Sequence, residues 1–215
     1  MFIFPKTDIA HVWMGWTYGV SNHSKATLRE RLPALQSPFS HYAFLNQTHS
    51  DSIYVVENPD NQGEGDGLIT KQKGLGLVVQ TADCVPIFLI SPTEVAVVHS
   101  GWKGTAQNIV GKCIAQMQDV HTAIIGPSID VHNYEVGEEV VEGIVATGVD
   151  RGGFVVEGDP RPYAHVASAV KIQIEQHNIK RIEILEGCTF EDDNWASYRR
   201  DGQQAGRILS VIGWL

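Results

Sequence analysis

Short hydrophobic runs, bounded by glycine, proline and polar turn residues, recur along most of this chain. β-branched and aromatic residues dominate these runs, and this composition is typical of strands rather than helices. The runs are too short to be helices of ordinary length, which supports the same assignment. The predicted strands are 12–16, 52–57, 75–80, 86–90, 94–99, 123–125, 182–185 and 208–214.

Three longer segments repeat their apolar residues at the helical spacing of three to four positions. In the last of them Val166, Val170 and Ile174 are four apart, so they share one helix face. The glycine- and acid-rich stretch 58–67 has neither period and predicts a loop. The predicted helices are 25–36, interrupted at Pro33, then 104–118 and 166–177.

The order of these elements predicts a mixed α/β fold. Several predicted strands come before the helix at 104–118 without helices between them, so strand and helix do not alternate strictly. A doubly wound parallel sheet is therefore not expected. With 215 residues and 43% hydrophobic content, the chain can bury one sizeable core. We expect a single domain over residues 1–215.

The charge balance excludes two classes of partner. Sixteen basic against twenty-five acidic residues give a net charge of −9. Nucleic acids and anionic membranes are bound through basic patches, so neither is expected as a partner. The sequence has no signal peptide, no apolar run of membrane-spanning length and only three widely spaced cysteines, which predicts a cytoplasmic protein. Nothing in it indicates an oligomer, and we expect a monomer.

Three separate segments each offer one good transition-metal ligand among turn residues: His49, Cys84 and His99. Two imidazoles and one thiolate form a zinc set with an open fourth position, which is the catalytic rather than the structural arrangement. The spacing does not require a site, because structural zinc usually has close ligand pairs such as C-x2-C. From the residues alone, a buried core cysteine with two surface histidines is the simpler interpretation, and the metal site is the alternative to it.

A resemblance to a known family adds to this pattern. Its motifs occur in family order over about residues 40–215. They include Gly65-Asp66-Gly67-Leu68-Ile69-Thr70, Thr81-Ala82-Asp83-Cys84-Val85-Pro86-Ile87 and His99-Ser100-Gly101-Trp102-Lys103-Gly104, followed by 125–129, 134–137, 188–189, 197–202 and 206–207. These motifs resemble the laccase-domain family, also labelled multicopper polyphenol oxidases. Its members are described as purine nucleoside phosphorylases with adenosine deaminase activity.

The resemblance implies a layered sandwich of β-sheets flanked by helices. It also implies one zinc ion per chain on His49, Cys84 and His99, with a purine nucleoside and phosphate as small-molecule partners. Copper is disfavoured, because a multicopper oxidase needs several histidine-rich sites and its H-x-H pairs are missing here. Tyr18 stands where the family has an arginine, so no anion-binding role is transferred to that position.

Cys84 and Asp83 are adjacent in the sequence and are both candidate catalytic residues, Cys84 because it would bind the metal. Asp83 has two interpretations. It either accepts a hydrogen bond from a metal-bound imidazole, which would fix the tautomer, or caps the turn at Val85-Pro86.

Phosphate would need local cations in so acidic a chain. Lys103 stands at a predicted helix start, where backbone N–H groups favour an anion. Arg199 follows Tyr198 in a family-like run, and its planar fork suits phosphate. The pair Arg199 and Arg200 could equally balance nearby aspartates on the surface. We select Arg199 as catalytic and substrate-binding, with Tyr198 and Lys103 as further substrate-binding residues.

We predict structural roles for the other two cysteines. Cys113 lies on the apolar face of its predicted helix with Ile109, Ile114 and Met117, which predicts a core position. Cys188 precedes Thr189 in a family-like segment, and we expect a packing or turn role there.

Three other functions remain alternatives to the zinc-dependent nucleoside enzyme. Some family members are described as peptidoglycan editing factors, which implies a hydrolase acting on peptidoglycan precursors. A cysteine hydrolase would use Cys84 as nucleophile and His99 as base. A non-catalytic binding module would hold the metal for stability and would need a fourth protein ligand.

Overall fold

The computed structural model describes residues 2–3, 11–17, 32, 37–185 and 187–215. The predicted helix 25–36 lies outside these ranges apart from Leu32, and so does Tyr18. The strands are β1 Phe2–Ile3, β2 Val12–Thr17, β3 His41–Asn46, β4 Ile53–Val55, β5 Asp60–Glu64, β6 Gly67–Thr70, β7 Leu75–Thr81, β8 Val85–Ile90, β9 Val95–Ser100, β10 Thr122–Ile125, β11 Val155–Val156, β12 Tyr163–Ala164, β13 Arg181–Ile184 and β14 Ile208–Trp214. The α-helices are α1 Trp102–Ala106, α2 Ile109–Gln116, α3 Glu138–Val145, α4 Val166–Glu175 and α5 Tyr198–Asp201.

Twelve of these strands form two six-stranded sheets. The first has the order β1-β2-β14-β7-β3-β5 and the second β13-β10-β8-β9-β6-β4, while β11 and β12 pair separately. Both sheets are mixed: β3 runs parallel to β7 and β10 parallel to β13, whereas the other pairs include antiparallel ones such as β8 with β9. This confirms the mixed α/β prediction, and the sheets are not doubly wound.

A hydrophobic core fills the space between the two sheets. Trp16 of the first sheet stacks on Phe88 of the second, with 4.8 Å between ring centroids. Leu77 of the first sheet and Val97 of the second belong to the same fully buried cluster. Side chains along a strand point alternately to its two faces, and in both sheets the side chains that point to the other sheet are apolar. Burial of these apolar side chains drives the packing of one sheet on the other.

Helices cover the outer face of the second sheet. Val98 of β9, Ile109 of α2 and Val170 of α4 share a second buried cluster. Strands β8 and β9 are therefore buried on both faces, which explains why their sequences are continuously apolar instead of alternating. The arrangement confirms the layered sandwich flanked by helices. No helix in the described ranges has both the length and the apolar character needed to cross a membrane.

The predicted helix 104–118 is wrong in its continuity. It consists of α1 and α2, separated at Asn108, whose φ of 53° lies in the left-handed region. Asparagine adopts this conformation at low cost, and its side chain then accepts the N–H of Gly111 as the cap of α2. The interruption leaves α1 as a separate short helix that directly follows the end of β9.

The predicted loop 58–67 is also partly wrong, because it contains strand β5. This strand pairs in parallel with β3 at the edge of the first sheet. Its side chains are mostly exposed and polar, so no apolar period marks it in the sequence. Charged and polar residues are a common protection for such an edge.

Candidate metal centre and adjoining cleft

His49, Cys84 and His99 converge at one end of the sandwich. Their ligand atoms all lie within 4.8 Å of one another. The Sγ of Cys84 is 3.8 Å from Nε2 of His49, and the two imidazole rings meet edge to face at 4.8 Å between centroids. The structure thus brings together the three ligands that the sequence proposed, and this group could bind a metal ion.

The strand register explains this convergence. Pro86 of β8 pairs with His99 of β9, so Cys84, which lies just before β8, is close to His99 at the same end of the hairpin. His49 follows β3 of the first sheet and approaches from the other side. The group therefore lies where the two sheets end together, and the side chains of residues far apart in sequence meet there.

The donor set fits one tetrahedral zinc ion, and the spacing of one donor pair is close to the value that zinc needs. Zinc bonds of ordinary length would put a thiolate sulfur and an imidazole nitrogen about 3.5 Å apart, close to the 3.8 Å observed. Gly101 leaves the necessary room, since a Cβ there would lie 2.9 Å from Cδ2 of His49 and 3.0 Å from Sγ of Cys84. Within the described part of the chain this is the one such group, and it has three protein ligands.

Neighbouring groups shift the pKa values of two of these residues, Cys84 and His99. Burial alone would raise the pKa of the Cys84 thiol, but the adjacent His99 charge and hydrogen bonds from both histidines lower it. Burial acts to lower the pKa of His99, yet the Cys84 thiolate and the Asp66 carboxylate raise it. The site therefore favours the thiolate, which is the form of cysteine that binds metals.

Asp66, rather than Asp83, accepts the hydrogen bond donated by the imidazole of His99. Nδ1 of His99 lies 2.7 Å from Oδ1 of Asp66, which is fully buried. The two oxygens of Asp83 instead accept the Thr189 hydroxyl at 2.7 Å and the main-chain N–H of Arg199 at 2.6 Å. The interpretation of Asp83 as the partner of a metal-bound imidazole is therefore wrong for His99. In the sequence Asp66 contributed only to the family-like motif.

The metal group opens into a cleft of about 760 Å³. Aromatic side chains form part of its wall, and three cations lie at its surface. The aromatic residues are Trp102, Tyr134 and Tyr198, and the cations are Lys103, Arg199 and Arg207. Arg207 was not predicted as a site residue, because in the sequence it contributed only to the family resemblance.

Arg199 is held against the wall of this cleft. Its guanidinium lies 4.8 Å from the Tyr134 ring centroid, and one of its nitrogens donates to the carbonyl of Glu135 at 3.1 Å. Lys103 lies in α1 with its ammonium 5.7 Å from the Trp102 ring centroid. Both cations predicted from sequence therefore line the same cleft as the metal group.

Arg200 has a structural role instead. Its guanidinium donates to three main-chain carbonyls, those of Thr189, Phe190 and Trp195. These bonds hold the loop before α5. Of the neighbouring pair, Arg199 is the one whose guanidinium lines the cleft.

The two remaining cysteines lie outside the cleft lining. Cys113 is fully buried in the cluster beneath α2, and burial raises the pKa of its thiol, so it stays protonated. The Sγ of Cys188 accepts the main-chain N–H of Asp130 at 3.3 Å and contacts the amide of Asn133 at 3.5 Å. The core prediction for Cys113 is confirmed, and Cys188 links its turn to a neighbouring loop.

Comparisons with known proteins identify relatives of this chain by sequence and by fold. A protein of Deinococcus radiodurans named purine nucleoside phosphorylase is 35% identical over 181 residues, covering 80% of this chain and 70% of the relative. One of Aquifex aeolicus with the same name is 33% identical over 171 residues, covering 77% and 80%. The crystal structure of YlmD from Geobacillus stearothermophilus superposes with a TM-score of 0.85 at 26% identity, covering 100% of this chain and 99% of that one.

A second crystal structure, of a Neisseria meningitidis protein, gives a TM-score of 0.85 at 24% identity and covers 100% of this chain and 98% of that one. That likeness concerns the fold alone. The family model described as multi-copper polyphenol oxidoreductase laccase matches residues 13–215. The resemblance noted in the sequence is thereby confirmed, and this chain belongs to the multi-copper polyphenol oxidoreductase laccase family.

Proposed function

We propose that this protein is a zinc-dependent purine nucleoside phosphorylase that also deaminates adenosine. The observation that carries the proposal is the shared cleft: a three-ligand metal group and three cations face the same space. A metal group with three protein ligands keeps a position for water or substrate, as catalytic zinc sites do. The relatives named purine nucleoside phosphorylase support the substrate class.

The cleft wall suits the two substrates of phosphorolysis. The aromatic side chains of Trp102, Tyr134 and Tyr198 line the cleft and supply apolar surface for a purine. Arg199 and Lys103 offer positive charge for phosphate, which a chain of net charge −9 must concentrate locally.

In the reaction a phosphate oxygen bonds to C1 of the ribose while the bond from C1 to the purine nitrogen breaks. The departing purine takes the bond's electron pair and then a proton. In this proposal Arg199 and Lys103 hold phosphate in line with that bond, and Arg199 is pre-positioned by Tyr134 and the Glu135 carbonyl.

His49, Cys84 and His99 would hold the zinc ion. When bound, zinc supplies Lewis-acid chemistry and activates water near neutral pH, which suits deamination at C6 of the purine. The mixed thiolate and imidazole set favours zinc, and one group of three ligands does not supply the several sites of a multicopper oxidase, despite the family's description.

A cysteine hydrolase is the second candidate, because Sγ of Cys84 lies 3.8 Å from Nε2 of His49 and both line the cleft. Such an enzyme would use the thiolate as nucleophile and a histidine as base. It would work without metal, whereas the proposed phosphorylase would not. Metal content and activity measured on one preparation separate the two.

The testing experiment is a screen of adenosine, inosine and methylthioadenosine with untagged, zinc-loaded protein, with and without phosphate. We expect free base and the matching sugar 1-phosphate (ribose 1-phosphate, or 5-methylthioribose 1-phosphate from methylthioadenosine) only when phosphate is present, and inosine from adenosine in either case. If no nucleoside is converted, the proposal fails, and cleavage of peptidoglycan precursors becomes the reaction to test.

A further inference from the structure

The carboxylate of Asp66 bonds to both histidine ligands although it is not a ligand itself. Its Oδ1 lies 2.7 Å from Nδ1 of His99 and accepts the main-chain N–H of His49 at 3.2 Å. Its Oδ2 accepts the N–H and the hydroxyl of Ser50 at 2.6 and 2.7 Å and the N–H of Thr48 at 3.3 Å. The side chain is fully buried, so these partners replace its entire hydration.

The three N–H groups of residues 48–50 form a concave anion site around this carboxylate. Successive main-chain N–H groups converge in this way when a left-handed residue takes part. That residue is His49, whose φ is 60°. Such a conformation costs energy for a residue other than glycine and persists where surrounding bonds hold it. The Asp66 carboxylate supplies those bonds and thereby fixes the main chain of a metal ligand.

The second histidine is fixed through its ring. Because Nδ1 of His99 donates to Asp66, the Nε2 atom is left as the electron-pair donor that faces Cys84 and His49. The main chain adds a further bond, from the N–H of His99 to the carbonyl of Asp66 at 2.8 Å. The ring orientation and the tautomer of His99 are therefore both set by one residue.

We propose that Asp66 is the positioning residue of the metal centre: a single buried carboxylate sets the spacing between His49 and His99. It does so through the main chain of one ligand and the side chain of the other. Without it the His49 turn loses its anion and the His99 ring loses its orienting acceptor. The inference depends on the metal site and not on the purine reaction, so zinc affinity tests it without any turnover assay.

Asp66→Asn is the central variant, because it keeps the shape of the side chain but loses the charge and turns an amide toward N–H donors. We expect it to bind zinc about 10–100-fold more weakly than the wild type, the usual cost of removing a partner of a metal ligand. The measurement is competition for zinc against a chromophoric chelator, with the thermal midpoint of the metal-free protein recorded alongside. Asp66→Ala, which removes the acceptor entirely, is expected to bind more weakly still.

Glu94→Gln is the matched control. Glu94 is a carboxylate only 2% exposed, at the opposite end of the β8–β9 hairpin, and it accepts the main-chain N–H of Gln118. The Glu94→Gln substitution should lower the thermal midpoint of the protein while leaving its zinc affinity at the wild-type value. Wild-type zinc affinity in a folded Asp66→Asn overturns the proposal. An equal loss of affinity in Glu94→Gln also overturns it, since Asp66 would then act only through overall stability.

Ser50→Ala keeps the proposal testable if Asp66→Asn does not fold. It deletes one hydrogen bond to the carboxylate and leaves the other four in place. We expect zinc binding to weaken about threefold or more, the worth of one such bond. Unchanged zinc affinity in this variant would overturn the proposal that Asp66 positions the two histidines. Absence of phosphorolysis in the zinc-loaded wild-type protein would contradict the proposed function but not this inference.

Discussion

The carboxylate of Asp83 accepts the main-chain N–H of Arg199 at 2.6 Å, joining residues 116 positions apart. Its other oxygen accepts the hydroxyl of Thr189 at 2.7 Å. Asp83 directly precedes Cys84, and Arg199 lies in α5, so this bond connects the loop of a candidate metal ligand to the helix that carries a cleft cation. One buried side chain thereby helps to position the start of α5 relative to the candidate metal group.

Replacing Asp83 with alanine should therefore impair phosphate binding more than metal binding. Loss of a hydrogen bond to a charged group predicts a KM for phosphate about 10-fold higher, with one zinc ion still bound. Steady-state kinetics at varied phosphate, with metal analysis of the same sample, measure both. Thr189→Val removes only the other bond and should change the KM less. Loss of zinc from Asp83→Ala would instead assign this residue to the metal centre.

Arg199→Ala should depress phosphorolysis of adenosine or inosine by about 10–100-fold, the worth of one or two charge-assisted hydrogen bonds. Deamination uses water rather than phosphate, so it should fall much less. Parallel assays of base release and of inosine formation measure the two rates. Arg161→Ala, which removes an exposed arginine that does not line the cleft, is the control and should leave both rates unchanged. Equal decreases in both activities would show that Arg199 does not bind phosphate.

Gly101→Ala should weaken zinc binding while the fold persists. The added Cβ would lie 2.9 Å from His49 and 3.0 Å from the Cys84 sulfur, so at least one ligand must move. Zinc competition should show a loss of affinity, and circular dichroism should show little change. Gly143→Ala in α3, where the nearest atom is the Ala106 Cβ at 3.2 Å, provides a glycine control away from the centre. Equal zinc affinity in Gly101→Ala and Gly143→Ala would mean that His49 and Cys84 can bind zinc without this close approach to residue 101.

Cys113→Ala should cost about 1–2 kcal/mol of unfolding free energy, because a small, fully buried side chain is shortened. Activity and zinc content should remain near wild-type values, since Cys113 lies among Ile109, Ile114 and Met117. Denaturant unfolding and a turnover assay on the same preparations measure these quantities. Reduced turnover with unchanged stability would contradict the core assignment.

Much of the fold follows from the apolar pattern, because the two sheets share a core that needs uninterrupted hydrophobic strands. Strands β8 and β9 were predicted to within one residue for this reason. Strand β5 was missed because its stability comes from pairing with β3 at a sheet edge and not from burial. The break at Asn108 was missed because the apolar face continues across it, and only the backbone changes direction.

The candidate site likewise contains residues that the sequence predicts and residues that it does not. Its ligands have distinctive side-chain chemistry, so His49, Cys84 and His99 were identifiable from sequence once the family motifs were considered. Asp66 was not, because its role depends on a contact with His99 across 33 residues. Asp83 was the more obvious candidate by adjacency, yet the turn at φ 80° directs its carboxylate to Arg199 and Thr189.

The central claim is that His49, Cys84 and His99 hold the metal on which phosphorolysis depends. The most direct test measures zinc per chain and phosphate-dependent purine release in wild-type protein and in Cys84→Ala, with Cys113→Ala as the matched cysteine control. We expect one zinc ion per chain and turnover in the wild type and in Cys113→Ala, and neither in a folded Cys84→Ala. Full zinc occupancy with undiminished phosphorolysis in Cys84→Ala would contradict it.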